Sequence, residues 1–180
     1  MASPAEPSLF DIDSPSIAPP LEEIVPGKDY FTRFSFHEED QTYLTTNYGR
    51  GELVPINTPV HVVAISFRKI ALKRLDTGES LYIENVEKYS RRTIARIATD
   101  LLSSVKTPLD RLAPPLVAAI ETGEMRKGMT KEQVLMARGY PPGHETPSID
   151  SDRWKYWSSR FITQTIVFTN GRLTQGRGIP

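Results

Sequence analysis

The side chains of this chain whose types could do chemistry are three histidines, a pair of spaced aspartates and one cluster of arginines. His37, His61 and His144 stand far apart in sequence. His37-Glu38-Glu39-Asp40 sets nitrogen and oxygen donors in a row, but adjacent residues converge on one ion only where a loop wraps them. The run lacks the spacing of an EF-hand or a two-histidine helix motif, and it reads as a solvated acidic turn. His61 lies in an apolar run and reads as a hydrogen-bonded strand residue. His144 follows Pro141-Pro142-Gly143, in the kind of loop that carries functional residues. It has no cysteine and no placed nucleophile to work with, and a base needs a positioned partner. Asp150 and Asp152 resemble paired carboxylates, but their spacing does not define the separation that acid–base work requires, so they read as solvated loop acids. No catalytic residue, metal ligand or cofactor is therefore assigned. The expectation is a chain that is not an enzyme.

Lys88, Arg91, Arg92 and Arg96 form the one dense basic cluster. Arg91 and Arg92 near a helix start oppose the helix dipole slightly, which makes Arg91, Arg92 and Arg96 candidates for contact with an anionic group such as a phosphate or lipid headgroup. The competing reading is a solvated helix face, favoured by a formal net charge of zero from twenty-two basic and twenty-two acidic residues. Gly49-Arg50-Gly51 is too short for a phosphate cradle and opens no helix. Trp154, Tyr156, Trp157 and Phe161 are the richest aromatic density. Strand alternation puts Trp154 and Tyr156 on one face and Trp157 on the other. One face packs as core; the other is either a second packed layer or a partner-binding surface. The candidate partner-binding residues are Trp157, Tyr140, His144 and Phe161.

The elements that must position these residues are best specified between Gly123 and Gly143. Thr130 and Gln133 have the T-x-x-Q spacing of a capping box, and Met129 and Val134 can close a hydrophobic staple over it. Gly139 followed by Tyr140-Pro141 predicts a Schellman ending, with Tyr140 folding back on Leu135. A short helix over Lys131–Arg138 follows. Before it, Ala113-Pro114 predicts a helix over Pro115–Thr122 that Gly123 ends. After it, strands are expected at Trp154–Trp157, Phe161–Phe168 and Arg172–Thr174, with Asn170-Gly171 as a type I′ hairpin turn and Gly176-Arg177-Gly178 fraying.

Upstream, Ser90 is expected to cap a helix of about Arg91–Ser103 that buries Ile94, Ile97, Ala98, Leu101 and Leu102. Tyr30 to Val86 carries β signals at Gln41–Tyr48, Glu52–Asn57, Val60–Ser66, Lys69–Leu75 and Ser80–Val86, a small antiparallel sheet or partly open barrel. Met1 to Lys28 is rich in Pro, Ser and acid without any period. It reads as a flexible lead-in or, alternatively, as a docking peptide using Leu9, Phe10, Ile12, Leu21 and Ile24. The organisation expected is α+β: a lead-in over 1–28, a small antiparallel β module over 29–88, a connecting helix region over 89–112, and an αα-βββ domain over 113–176.

That last region carries a resemblance. Gly128-Met129-Thr130 before a capped helix with Val134 and Leu135, then Gly139 and Pro141, then Trp154, Tyr156 and Trp157 on a strand, resembles the SmpA/OmlA (BamE-like) domain over roughly Leu116–Thr174. The resemblance implies two short helices followed by a three-stranded antiparallel sheet, a shape shared with β-lactamase-inhibitor proteins. It also implies a non-enzymatic scaffold of the bacterial cell envelope that supports an outer-membrane or other envelope complex. The expected partners are proteins of a larger complex, with no nucleic acid, at the periplasm or outer-membrane periphery. The family's lipidation cysteine is missing, because the chain has no cysteine at all. No apolar run is long enough to span a membrane, although a peripheral membrane position fits. The amino terminus lacks a signal-peptide pattern, which fits either a processed chain or a cytosolic one. A cytosolic small-molecule or peptide-binding regulatory module is the alternative reading.

Overall fold

The computed structural model describes residues 16–46, 49–159 and 161–180. The first half is mostly sheet: β1 (Asp29–Thr32), β2 (Phe36–Glu38), β3 (Thr42–Leu44), β4 (Glu52–Val54), β5 (Pro59–Ile65), β6 (Lys69–Arg74) and β7 (Ser80–Glu84). Helices α1 (Glu87–Ser90) and α2 (Ile94–Leu101) and the short strand β8 (Leu102–Ser103) follow. A 3-10 turn at Leu109–Arg111 leads into helices α3 (Pro114–Thr122) and α4 (Lys131–Arg138). Strands β9 (Arg153–Trp157), β10 (Thr163–Thr169) and β11 (Arg172–Gly176) complete the described chain. The architecture is α+β, with sheet dominant.

Six strands form one sheet in the order β3-β7-β6-β5-β1-β8. Period-two alternation explains its centre: Ile70 and Leu72 on β6 are buried, and Lys69 and Lys73 on the same strand are exposed. Against the expected antiparallel module, β3 lies parallel to β7, with Thr42 opposite Tyr82. Three intervening strands supply the crossover that parallel pairing requires. The expected strand over Gln41–Tyr48 shortens to Thr42–Leu44, and Asn47 and Tyr48 lie outside the described residues. Strand β4 pairs with β2 in a separate two-stranded ribbon. Strand β8, from the expected connecting region, joins the edge beside β1, and α2 packs over β6.

The helix expected over Arg91–Ser103 is broken. Arg91 takes a left-handed backbone (φ 58°) and ends α1, and α2 restarts at Ile94 with Thr93 as its cap. The Thr93 hydroxyl accepts from the Arg96 amide at 3.2 Å, while Ser90 instead donates to the Asn85 side chain at 2.7 Å. Two cap-type residues compete here, and Ser90 is drawn away by a buried asparagine.

The second unit runs α3, α4 and the antiparallel meander β9-β10-β11. The capping box on α4 is complete: Thr130 Oγ1 accepts from the Gln133 amide, and Gln133 Oε1 accepts from the Thr130 amide. Met129 and Val134 are both fully buried. The helix ending differs from the Schellman expectation. Gly139 has φ 74° but ψ −168°, an extended glycine-only conformation that turns Tyr140 away toward Phe34 and Arg92. Asn170 and Gly171 both have positive φ, as a type I′ turn requires. The carboxyl-terminal residues are tied down rather than frayed, since Ile179 is buried and the Lys127 amide donates to the Pro180 carbonyl at 2.8 Å.

The two halves interlock. Ile56 from the first half lies in the core of the second, and Tyr140 from the second packs against the core of the first. Ser35, between β1 and β2, is the hinge pin. Its amide donates to the Met136 carbonyl of α4, and its hydroxyl donates to the Ile120 carbonyl of α3 at 2.6 Å and accepts from the Ile56 amide. The expected flexible lead-in is corrected over residues 16–28. This stretch is a strap laid across both halves, with Ile17 buried in the second core and Ile24 in the first. Glu132 takes the Ser16 hydroxyl and the Ile17 amide, Arg33 donates to the Pro19 and Pro20 carbonyls, and Glu22 accepts from Ser104. Of the docking residues expected, Ile24 is buried and Leu21 exposed, while Leu9, Phe10 and Ile12 lie outside the described residues.

Candidate functional site

The four residues singled out as a partner surface separate into two groups. Strand β9 alternates as expected: Trp154 and Tyr156 are buried, and Lys155 and Trp157 are half-buried on the opposite face. On that outer face the Trp157 ring stacks on His144 at 6.0 Å and 15°, and His144 in turn lies 5.0 Å from the Tyr89 ring. The His144 amide donates to the Tyr89 carbonyl at 3.0 Å, which pins the loop after α4 to α1. Phe161 is in the turn between β9 and β10, not in the strand, and is 87 % exposed; its neighbour Ile162 is 57 % exposed. The turn is closed by the Ser158 amide, which donates to the Ile162 carbonyl at 2.8 Å. Trp157, His144 and Phe161 thus belong to one end of the β9–β10 hairpin and its adjoining loop.

Tyr140 belongs elsewhere. Its ring packs edge-on against Phe34, with the Arg92 guanidinium 3.9 Å above it. Arg92 and Arg96 converge on an internal carboxylate, Asp100, at 3.2 and 3.0 Å, and Asp100 is 3 % exposed. Arg91, on the left-handed residue, is exposed and stands apart from that pair. Burial pushes the Asp100 carboxyl up from its ordinary value, against the opposing pull of Arg92 and Arg96. Burial likewise raises the Tyr140 hydroxyl and lowers the Arg92 guanidinium.

Beside this cluster, under the strap, lies a cavity of about 330 Å³ whose lining includes Pro19, Arg33, Phe34, Asp100, Leu135 and Trp154. Sequence reasoning did not find it, because Arg33, Asp100 and Leu135 come from three distant segments. The buried Asp100 at a helix position otherwise aligned with Ile97, Ala98 and Leu101 was the one local signal.

The remaining histidines are placed singly. His61 Nδ1 lies 2.6 Å from Asp29 Oδ1, across the β1–β5 pair. His37 sits on β2, and burial, then the Arg138 guanidinium, hold its imidazole below the usual value. Asp152 pairs with Lys131, and the Asp150 carbonyl accepts from the same ammonium. Among the described residues, no three His, Asp or Glu side chains gather as a metal site, and no helix is long and apolar enough to cross a membrane. A second exposed aromatic, Phe67, caps the β5–β6 turn at 79 % exposure, and sequence reasoning did not single it out. Comparison with family models, with curated proteins and with solved structures yields no match for this chain.

Proposed function

We propose that this chain is a non-enzymatic interaction module that presents the β9–β10 turn to a protein partner within a larger complex. The observation that carries this reading is the exposure of Phe161 and Ile162 together at one turn, beside the half-buried Trp157. Exposed apolar side chains scattered singly need no explanation, whereas a cluster with aromatic members is the usual anchor of an interface. The stack of Trp157 on His144, which in turn packs against Tyr89, gives that turn a rigid base, so presenting it costs little ordering entropy. The order α3-α4-β9-β10-β11 supports the resemblance to SmpA/OmlA domains, and on that resemblance the partner belongs to an assembly of the bacterial cell envelope.

The test is affinity capture from the native source with the wild-type chain, a Phe161→Ser/Ile162→Ser variant and a Phe67→Ser control. The proposal expects one set of proteins that the double variant loses and the control keeps, with melting unchanged in all three. Loss with Phe67→Ser alone would move the interface to the β5–β6 turn. Binding of the chain to lipid vesicles through Phe161 would replace a protein partner with a membrane surface. Captured proteins of cytosolic origin would favour the regulatory module over the envelope scaffold.

A further inference from the structure

The cavity under the strap stands apart from the hairpin turn, and its charges are closed among themselves. Its lining holds three acids, Asp100, Glu132 and Asp150, and two cations, Arg33 and Lys131. Four of these five are answered by the chain itself. Asp100 is met by the guanidiniums of Arg92 and Arg96. Burial lowers the Arg33 guanidinium from its ordinary value, and Tyr140, Asp100, Glu22 and Glu132 oppose that shift. Its Nη1 and Nη2 donate to the Pro20 and Pro19 carbonyls of the strap. Glu132 accepts from the Ser16 hydroxyl and the Ile17 amide, and Lys131 is paired with Asp152. The fifth, Asp150, is exposed at the rim, where water screens its charge.

The rest of the lining is mainly apolar. Phe34, Met136 and Trp154 are buried, whereas Leu135, Ile149 and Tyr140 are only half-buried and keep apolar surface wet. Leu135 and Ile149 lie at the margin of the second core and Tyr140 at the margin of the first, so the cavity follows the seam between the two. Ala18 and Pro19 of the strap close one side of it. The volume, about 330 Å³, is at the small end of the range of small-molecule pockets, about 300–1,000 Å³.

We infer that this cavity binds a small uncharged molecule with an apolar body, of the class of a medium-chain alcohol. A charged group entering it, of either sign, would shed its hydration and meet no unanswered countercharge inside. An apolar body instead covers Leu135, Ile149 and Tyr140 and gains in proportion to the area taken from water. The closed charges at the other end keep the walls in place without selecting an ion.

The experiment titrates the full chain with octanol, octanoate and octylammonium, three probes of one chain length, and follows methyl cross-peaks by NMR. Leu135 and Ile149 report on the cavity, and Ile162, exposed at the hairpin turn, reports on the surface of the proposed function. Octanol should shift the Leu135 and Ile149 peaks saturably and leave Ile162 in place, with both charged probes at least about tenfold weaker. Ala18→Trp sets an indole at the cavity from an exposed strap residue, so it should block octanol while melting stays unchanged. Arg33→Gln opens the closed charges on the acidic side, and should raise the affinity for octylammonium relative to octanol but not that for octanoate. Taking octanol as the reference removes any common effect of a loosened strap. A charged probe that binds the wild-type chain as tightly as octanol would overturn the proposal, as would octanol binding that survives Ala18→Trp. Peaks of Leu135 and Ile149 that stay in place up to the solubility limit of octanol would also overturn it, and would leave the cavity a packing seam between strap and α4. Each result is independent of whether the hairpin turn captures a partner.

Discussion

The two faces of β9 are one residue apart in sequence and differ in almost everything else. On the inner face, each polar aromatic atom has a named partner: Trp154 Nε1 donates to the Ser151 carbonyl at 2.9 Å, and the Tyr156 hydroxyl donates to the Gly139 carbonyl at 2.8 Å. Both rings are essentially removed from water, and Trp154 also packs edge-on against Phe168 at 4.7 Å. On the outer face, Trp157 is half-buried and stacks on a loop histidine. The inner face is where the aromatics hold the fold, and the outer face is where the proposed function puts the partner. The same residue type thus serves two purposes, set by alternation and by what each face finds opposite it.

The largest effect should come from breaking the inner face outright. Trp154→Ala removes a fully buried indole from the centre of the second core, and large-to-small aromatic changes there cost about 3–5 kcal/mol. Chemical denaturation should show it as a lowered midpoint with little change in slope. Next comes Gly139→Val. The positive φ with extended ψ is a conformation only glycine adopts readily, and a Cβ would stand 2.6 Å from the Phe34 ring. Strain and overpacking together predict a loss of about 2–5 kcal/mol. A Gly139→Val protein that melted like the wild type would mean that the turn re-forms without Phe34 beneath it, and that Tyr156 has another acceptor.

Gly139 also shows what could be read from the sequence. Its need for glycine and its place at the end of α4 were legible, because caps and stops are local and involve residues within a few positions. The actual ψ was not, because it follows from Phe34, over a hundred positions away, on which Tyr140 packs. The same contrast runs through the chain. Alternation along β6 and β9 and the Asn170-Gly171 turn were legible from residue types alone. The parallel seat of β3, the docking of Ile17 and Ile24, and the placing of Arg33 and Asp100 on one cavity depend on contacts between distant segments, which no window of sequence contains. The cluster Arg91, Arg92 and Arg96 was visible, but not the buried aspartate on which two of its members close. Ser35 gave no signal at all, although it bridges both halves.

A middle-sized effect should separate tertiary anchoring from local specification. Tyr156→Phe keeps the ring and deletes only the hydroxyl that meets the Gly139 carbonyl in a buried place. Leaving that acceptor unpaired should cost about 1–3 kcal/mol. Thr130→Ala removes the hydroxyl that takes the Gln133 amide and should cost about 0.5–2 kcal/mol, measured as a shift in thermal midpoint. If Thr130→Ala cost more than Tyr156→Phe, the second unit would depend more on its helix start than on its inner face.

The smallest effect on stability, and the most informative for function, is expected from Trp157→Ala. The ring is half-buried, so the area returned to water is well short of a full side chain, and the stack on His144 is lost with it. Such a stack contributes about 0.5–1.5 kcal/mol, so the melting change should be a fraction of that for Trp154→Ala. Removing the ring also frees His144 and takes away the base on which the Phe161 turn is presented. Capture of the partner should therefore weaken strongly while the fold persists, and Phe161→Ser/Ile162→Ser should reproduce the loss with no change in melting at all. The outcome that breaks the comparison is Trp157→Ala unfolding the chain as deeply as Trp154→Ala. Both faces of β9 would then be core, and the hairpin turn would have to bind, if it binds, without the aromatic platform beneath it.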